Sequence, residues 1–538
     1  MRREYLTFHN LFEKIKQGII KHKYIAFIIL LFILVFSLRV SESGLVSCNS
    51  DLSSIAYNGM ALSEGKIPYR DTIEGKPPLS YFILWPLFKA FGVSFIAIGL
   101  FSIVWMFLAS FFIFLIVKNI LGFKPACLAA VVYTIFSASK TIEGTCPNYT
   151  TWMILPLIIS VYFIVLAEGN KRSHYYFFAG FFSMLGVLAK LPAIFNFIGI
   201  CVFLIISFLI NNKEGQSLSF FLTKISYSLA GFFAGVIPFL LFFYSFGGTD
   251  QFLNPSILPH EAQYIAMSNT YSYLPSDISL MIYNLLLRTT VPVAIKALEN
   301  IFIWFFSAVF VLIFLFKLNF KKSDYRNKIF LLLVIWSFFS LIGVYIGGRF
   351  YPHYFVQIVP GFSMLSTFGI IYLYKNIKKL RLLLILVTVF MITQPIHIDF
   401  KKNPLDTFAE TKVDDEAFKT GMYIKKNSLP KDYIYVWGYV PEIYVYSERF
   451  APTRHYKFWG IVESMNGTRA VLQKDVPDDI FLDDLKKNMP LFFVLSNEYG
   501  IEKYVDPEIG EYPELNKFLD DNYAFDKEIG SIRIFKRK

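Results

Sequence analysis

Eleven apolar stretches govern what this chain can fold into; they run at about 24–40, 93–117, 122–140, 150–167, 175–190, 192–210, 223–246, 298–316, 329–347, 354–374 and 381–397. Each is close to the roughly 20 residues that carry a helix across the hydrocarbon of a bilayer. In lipid every backbone polar group must be satisfied within the protein, which favours helices over open strands. The expectation is an α-helical polytopic membrane protein with about 11 transmembrane helices. Two segments complicate the count. Residues 175–210 form one apolar run interrupted at Leu191-Pro192, and residues 79–92 suit an interfacial or re-entrant segment better than a span. Composition agrees, with 55% hydrophobic and only 17% charged residues, against about 25% charged in a soluble domain. Disordered, fibrous and ordinary soluble classes are excluded.

The charges are sorted by position. Residues 1–400 hold 31 basic and 16 acidic side chains, while 401–538 hold 21 and 24, so the whole basic excess lies in the apolar part. Nucleic-acid binding therefore has no support. Basic residues gather in alternate short loops: Lys118 and Lys124; Lys171 and Arg172; Lys213 and Lys224; Lys317, Lys321, Lys322, Arg326 and Lys328; Lys375, Lys378, Lys379 and Arg381. By the bias of Lys and Arg toward the cytoplasm, these loops are inner and the N-terminus is cytoplasmic. The first span follows Arg2, Arg3, Lys14, Lys16, Lys21 and Lys23 and reads as a signal-anchor. The expected address is the inner (cytoplasmic) membrane, multi-pass. Residues 41–92, 141–149, 247–297 and 348–353 would then lie outside, together with the tail.

That tail has a different texture. YIYVWGY (433–439) and LFFVLS (491–496) read as short buried strands, and 415–427 and 479–488 as amphipathic helices. The expected organisation is a membrane domain over 1–400, with long outer loops 41–92 and 247–297, and a small extracytoplasmic α/β domain over 401–538.

Ionisable groups inside spans usually mark transport paths or proton relays. Here Lys140 and Lys190 fall at outer ends and Glu168 at an inner end, with no acid or base near mid-membrane. A coupled transporter is thereby disfavoured. The unusual polar residues concentrate instead in outer segments, above all SDLSSIAYNGMALSEGKIPYRDTIEGKPPLSYFILWPLFKAFG, 50–92. Asp51 is placed as an N-cap or first-turn acid of a helix. Asp71 and Glu74 stand beside Arg70 and Lys76, and Pro77-Pro78 stops any helix. Carboxylates can take a proton from a nucleophile while cations bind phosphate. The blander reading is a solvated loop with capping acids.

The ordered set of motifs narrows this. Asp51 after the first span, Tyr57, then G-x-x-P-Y-R-D (65–71) and K-P-P-L (76–79) are followed by GFFSMLGVLAKLPAIF (180–195), GGRFYPHYFVQIVPGFSML (347–365) and VWGYVPEIYVYSERFAPTR (436–454). Together they resemble the GT-C glycosyltransferases. More narrowly they are similar to the bacterial family-39-like members related to protein O-mannosyltransferases and lipid A aminoarabinose transferases. The resemblance implies a GT-C-type helical domain that moves a sugar from a polyprenyl-phosphate carrier to an envelope acceptor (a glycan, lipid or protein) at the outer face, with inversion. It places the general base at Asp51 and a second acid at Glu143, with Asn148 as a neutral alternative. The donor phosphate falls to Lys76, Arg349, His353, Tyr354 and Lys190. Tyr57, Arg70 and Asp71 are further first-loop candidates. Lys76 and Lys190 equally suit interfacial anchoring, and Arg349 and His353 suit an outer-end anchor. A non-enzymatic translocator of lipid-linked sugars is the alternative function.

The seven histidines show no H-x-x-x-H or HExxH spacing, so no metal cofactor is expected. Loop 247–297, with His260, Glu261, Arg288 and Lys296, is long enough to cover the site and contact the acceptor. Cys48 and Cys146 flank the candidate site on an oxidising face, where a disulfide is chemically possible; Cys127 and Cys201 lie in spans.

Overall fold

Each of the eleven apolar stretches contains a helix in the computed structural model, which describes residues 22–40, 49–170, 172–212, 217–253, 300–317, 324–345, 351–393, 415–438, 440–456, 461–463, 469–471, 478–496 and 513–538. Among the described residues, six helices are both long and apolar enough to cross a membrane: His22–Arg39, Phe95–Leu121, Tyr149–Asn170, Leu191–Ile210, Leu218–Phe246 and Tyr325–Tyr345. Phe123–Ser137, His174–Ala189, Ile301–Phe316 and Arg381–Phe390 are shorter apolar helices, as is Leu79–Phe91 in the interfacial segment. The run around Leu191-Pro192 is two helices, His174–Ala189 and Ile194–Asn212. Lys190 between them is extended (φ −158°, ψ 127°) and a short 3-10 turn covers Leu191–Ala193. Proline donates no amide and disfavours helix in the residue before it, so the break falls there.

Among the described residues, buried charge ties helices together at Lys224, at Arg39 and at the candidate site. Lys224 Nζ meets Glu168 Oε1 at 2.6 Å, and the Tyr176 hydroxyl donates to the same oxygen at 2.6 Å. Three helices, Tyr149–Asn170, His174–Ala189 and Leu218–Ala234, are thereby clipped together. The other two places are described below.

Among the described residues of the tail, the expected strands and amphipathic helices form. Ile434–Trp437 and Phe492–Leu495 are fully buried strands that pair in parallel, with Ile434 opposite Phe492. Ile532–Arg537 and then Tyr523–Ile529 extend the sheet antiparallel. Amphipathic helices Glu416–Lys426 and Asp478–Lys487 accompany it. A separate two-stranded ladder joins Ile461–Glu463 and Arg469–Val471.

This sheet-bearing portion is packed onto the first loop. Tyr57, on the helix Ser50–Ser63, stacks on Tyr456 with centroids 4.1 Å apart, and its hydroxyl accepts from the Ala451 amide at 3.2 Å. The Ile73 amide donates to Arg454 O at 2.9 Å, and the Tyr456 hydroxyl donates to Glu74 Oε2 at 2.9 Å. Glu442, on a short helix against Ser50–Ser63, is buried with Oε2 lacking a partner. Burial pushes its carboxyl up to about 7, although the hydroxyl of Ser53 hydrogen-bonds it; nearby Asp415 raises it further.

A carboxyl whose native pKa is raised stabilises the fold while protonated and loses that contribution as pH rises through the raised value. The thermal midpoint of the wild type should therefore fall as pH rises from the ordinary carboxyl value of 4.5 to about 7, and level off above it. Glu442→Gln should flatten the fall. A parallel decline in both proteins would reject the assignment.

Candidate active site

Asn49, not Asp51, caps the helix Ser50–Ser63: its Oδ1 accepts from the Leu52 amide at 2.9 Å. Asp51 occupies the first turn, where a carboxylate is favoured by the helix dipole, and its side chain remains available for another contact. Asp51 Oδ2 lies 3.7 Å from His353 Nε2. From a second loop, Glu143 Oε2 reaches the other ring nitrogen, Nδ1, at 3.3 Å. Glu143 follows the 3-10 turn Lys140–Ile142 in the left-handed region at φ 49°.

His353 belongs to the 3-10 turn Pro352–Gln357, with Tyr351 stacked 5.9 Å away and Tyr354 edge-on at 4.9 Å. Burial displaces its protonation below the ordinary histidine range and Lys190 pushes the same way, outweighing the pull of Glu143 and Asp51. Burial and Lys190 thus both favour the uncharged imidazole. Lys190, buried at the helix break, donates to Thr150 Oγ1 at 2.9 Å and sits 3.8 Å from the Tyr354 ring centroid, a cation–π distance. Behind both turns, Gln357 Nε2 donates to Asn196 Oδ1 at 2.7 Å and to Pro192 O at 3.3 Å, and Asn196 Nδ2 donates to Ser340 Oγ at 2.7 Å. Buried amides that bond one another in this way rigidify what they join. Here they fix the turn of His353 to the break that carries Lys190.

Asp51, Glu143, Lys190, His353 and Tyr354 are thus brought together from four chain segments. Lys76 is held at its backbone, where its carbonyl accepts from the hydroxyls of Tyr69 at 2.8 Å and Tyr81 at 3.1 Å. Three first-loop candidates are engaged structurally. Tyr57 makes the stack described above. Arg70 chelates Asp71 at 2.7–2.8 Å and donates to Phe246 O and Gly247 O, tying the loop to the end of the helix Ile237–Phe246. Asp71 Oδ2 also accepts from the Ile67 amide at 2.7 Å. Asn148 is a cap, its Oδ1 accepting from Thr150 N at 2.9 Å. Arg349, Cys48 and the loop residues His260, Glu261, Arg288 and Lys296 lie outside the described residues; Cys146 is disulfide-bonded.

Sequence reasoning missed three supports of the site: Arg39, the Asn196–Gln357 pair, and the Tyr456–Glu74 bond. Only Arg39 carried a signal, as a charged residue at the end of an apolar span. Among the described residues no three His, Cys, Asp or Glu side chains are grouped as metal ligands. The two nitrogens of His353 face different carboxylates.

These features can be set beside known proteins. Residues 75–242 match the family model described as dolichyl-phosphate-mannose-protein mannosyltransferase. No curated protein matches the chain by sequence. Among solved structures, ArnT from Cupriavidus metallidurans bound to undecaprenyl phosphate is similar at 11% identity and TM-score 0.53, over 95% of this chain and 97% of that one. AglB from Archaeoglobus fulgidus in complex with an inhibitory peptide and a dolichol-phosphate is similar at 11% identity and TM-score 0.53, over 89% and 70%. The Archaeoglobus fulgidus oligosaccharyltransferase complex with Zn and sulfate gives 12% identity and TM-score 0.53, over 88% and 68%. The chain has the GT-C fold: a helical bundle of apolar spans with a small C-terminal sheet.

Lys190→Met keeps the length of the side chain and removes its charge. The protonation of His353 should then move up toward the ordinary range, because one of its two depressing causes is gone. The pH dependence of diethyl pyrocarbonate modification at His353, with His353→Gln as the blank, reads the shift. An unmoved profile would rule out an influence of Lys190 on the ring.

Proposed function

We propose that this chain is a membrane glycosyltransferase that moves a sugar from a polyprenyl-phosphate carrier onto a hydroxyl of an envelope acceptor, at the outer face of the cytoplasmic membrane. The observation that carries the reading is the convergence of Asp51 and Glu143 on one buried imidazole beside a buried lysine. The match to the mannosyltransferase model over 75–242 and the likeness to folds solved with undecaprenyl phosphate and dolichol-phosphate support the class of donor.

Asp51 is the general base. Its carboxylate takes the proton of the acceptor hydroxyl as that oxygen attacks the anomeric carbon, and the bond from that carbon to the phosphate oxygen breaks on the opposite side. The electron pair leaves with the phosphate, so configuration inverts. Glu143 and His353 fix the environment of the base: the Nδ1 of the ring faces Glu143, and its Nε2 faces Asp51. Lys190, Tyr354 and Lys76, with Arg349, bind the donor phosphate, where cations and a hydroxyl neutralise the charge that grows on the leaving group.

The test is transfer by purified protein in liposomes from defined polyprenyl-phosphate sugars. Removing a positioned general base costs about 10²- to 10⁴-fold in rate, so Asp51→Asn should lose transfer by that order while the melting temperature holds. Full transfer by a folded Asp51→Asn protein would sink the base assignment. Movement of lipid-linked sugar across the bilayer without transfer would favour a translocator.

A further inference from the structure

The first apolar helix, His22–Arg39, reads in the sequence as an anchor, and an anchor needs only apolar length. Yet it ends on an arginine that is 1% exposed. A guanidinium is buried only where its donors are met, and the partners here are specific. Arg39 Nη1 donates to Gly144 O at 2.6 Å, and Nη2 donates to Ser137 O at 2.7 Å and Ser137 Oγ at 3.1 Å. Ser137 is the last residue of the helix Phe123–Ser137, and Gly144 directly follows Glu143. One rigid fork therefore closes both ends of the excursion 138–143.

The excursion is shaped tightly around that clip. The Gly144 amide donates to Ser139 O at 3.0 Å and the Glu143 amide to Lys140 O at 3.0 Å. A Cβ at Gly144 would run into Ser137 O, so the chain passes closest to itself beside the two carbonyls that Arg39 holds. Glu143 pays for its exit in a left-handed backbone conformation, φ 49°, which non-glycine residues adopt when surroundings enforce it. From there its carboxylate reaches His353 Nδ1.

We propose that Arg39 is a positioning residue of the transfer reaction: it sets the Glu143 turn and, through Glu143, the imidazole beside Asp51. The proposal rests on the functional reading above, in which Glu143 serves the site. Lysine cannot replace arginine here, because a single ammonium lacks the planar fork that spans two carbonyls.

The test is a double-mutant cycle on transfer from a polyprenyl-phosphate sugar, using the full chain. Arg39→Lys keeps the cation, so the bundle keeps its charge balance; Arg39→Gln is the second variant, and each is scored only on folded, monodisperse protein. If Arg39 acts through Glu143, residues sharing one network are non-additive. Arg39→Lys should then lower kcat by roughly tenfold or more, the order seen when acid–base groups are misplaced. In a Glu143→Gln background it should cost less than about twofold, the scatter of independent sites. KM for the lipid donor should stay unchanged, since Arg39 is directed at the carbonyls of Ser137 and Gly144, on the turn of Glu143. Gly144→Ala, which strains the same turn from the other side, should repeat the kcat loss. An equal loss in both backgrounds, or wild-type kcat in Arg39→Lys and Arg39→Gln alike, overturns the proposal. Undiminished transfer by Glu143→Gln also overturns it, together with the role of Glu143. If Asp51→Asn alone remains active, the base assignment fails and the Arg39–Glu143 coupling still stands or falls on its own cycle.

Discussion

A charged side chain can enter an apolar helix bundle only where partners meet it, because desolvation otherwise costs several kcal/mol per ion. That constraint organises this molecule. Lys224 is buried because Glu168 and the Tyr176 hydroxyl converge on one another beside it. Arg39 is buried because carbonyls from two ends of a loop face it. Lys190 is buried because Thr150 and the Tyr354 ring receive it. Each cation thus cross-links segments distant in sequence. Two of the three cross-links, those of Arg39 and Lys190, hold segments that carry the candidate site.

The same logic explains why the sheet-bearing tail cannot be treated as a detached appendage. The first loop is rich in groups that need partners, and the tail supplies them. Asn58 Nδ2 donates to the Tyr456 hydroxyl at 3.1 Å, that hydroxyl donates to Glu74, and Thr72 Oγ1 donates to Asn58 Oδ1 at 2.6 Å. Lys66 lies 5.0 Å from the Phe450 ring centroid. The loop that carries Asp51 and Lys76 is therefore braced on one side by the membrane helices and on the other by residues 450–456. The tail thus bears on the loop that presents Asp51.

How much of this was legible follows from the range of each interaction. Apolar periodicity is local, so the eleven stretches, the break at Leu191-Pro192 and the strands around Ile434–Trp437 and Phe492–Leu495 could be read directly. Asp51 was legible as a first-turn acid, although Asn49 turned out to cap the helix. Partnerships were not legible, because they join residues far apart in the chain. Glu143 and His353 are 210 positions apart, and Arg39 and Gly144 are 105 apart. Sequence type alone also could not separate Arg70 and Asp71, which satisfy each other and a helix end, from Asp51, whose carboxylate faces an imidazole. The chemistry of the two aspartates is alike; their neighbours differ.

The electrostatic balance of the site follows from those neighbours. Two carboxylates beside a phosphate donor would repel it, and two cations would hold their product as tightly as their substrate. Asp51 and Glu143 instead face the two nitrogens of a ring whose uncharged form burial and Lys190 favour. Each carboxylate has one oxygen toward the ring, while Lys190 lies against Tyr354 at the adjoining turn. An uncharged imidazole between two acids can gain a proton without first losing one, so in the proposed reaction it can receive the proton that Asp51 would take from an acceptor. A site that had to expel an existing imidazolium proton first would not have this capacity. In the proposed reaction the depression of His353 leaves the ring able to accept that proton, and Lys190, which contributes to the depression, is also a proposed ligand of the phosphate.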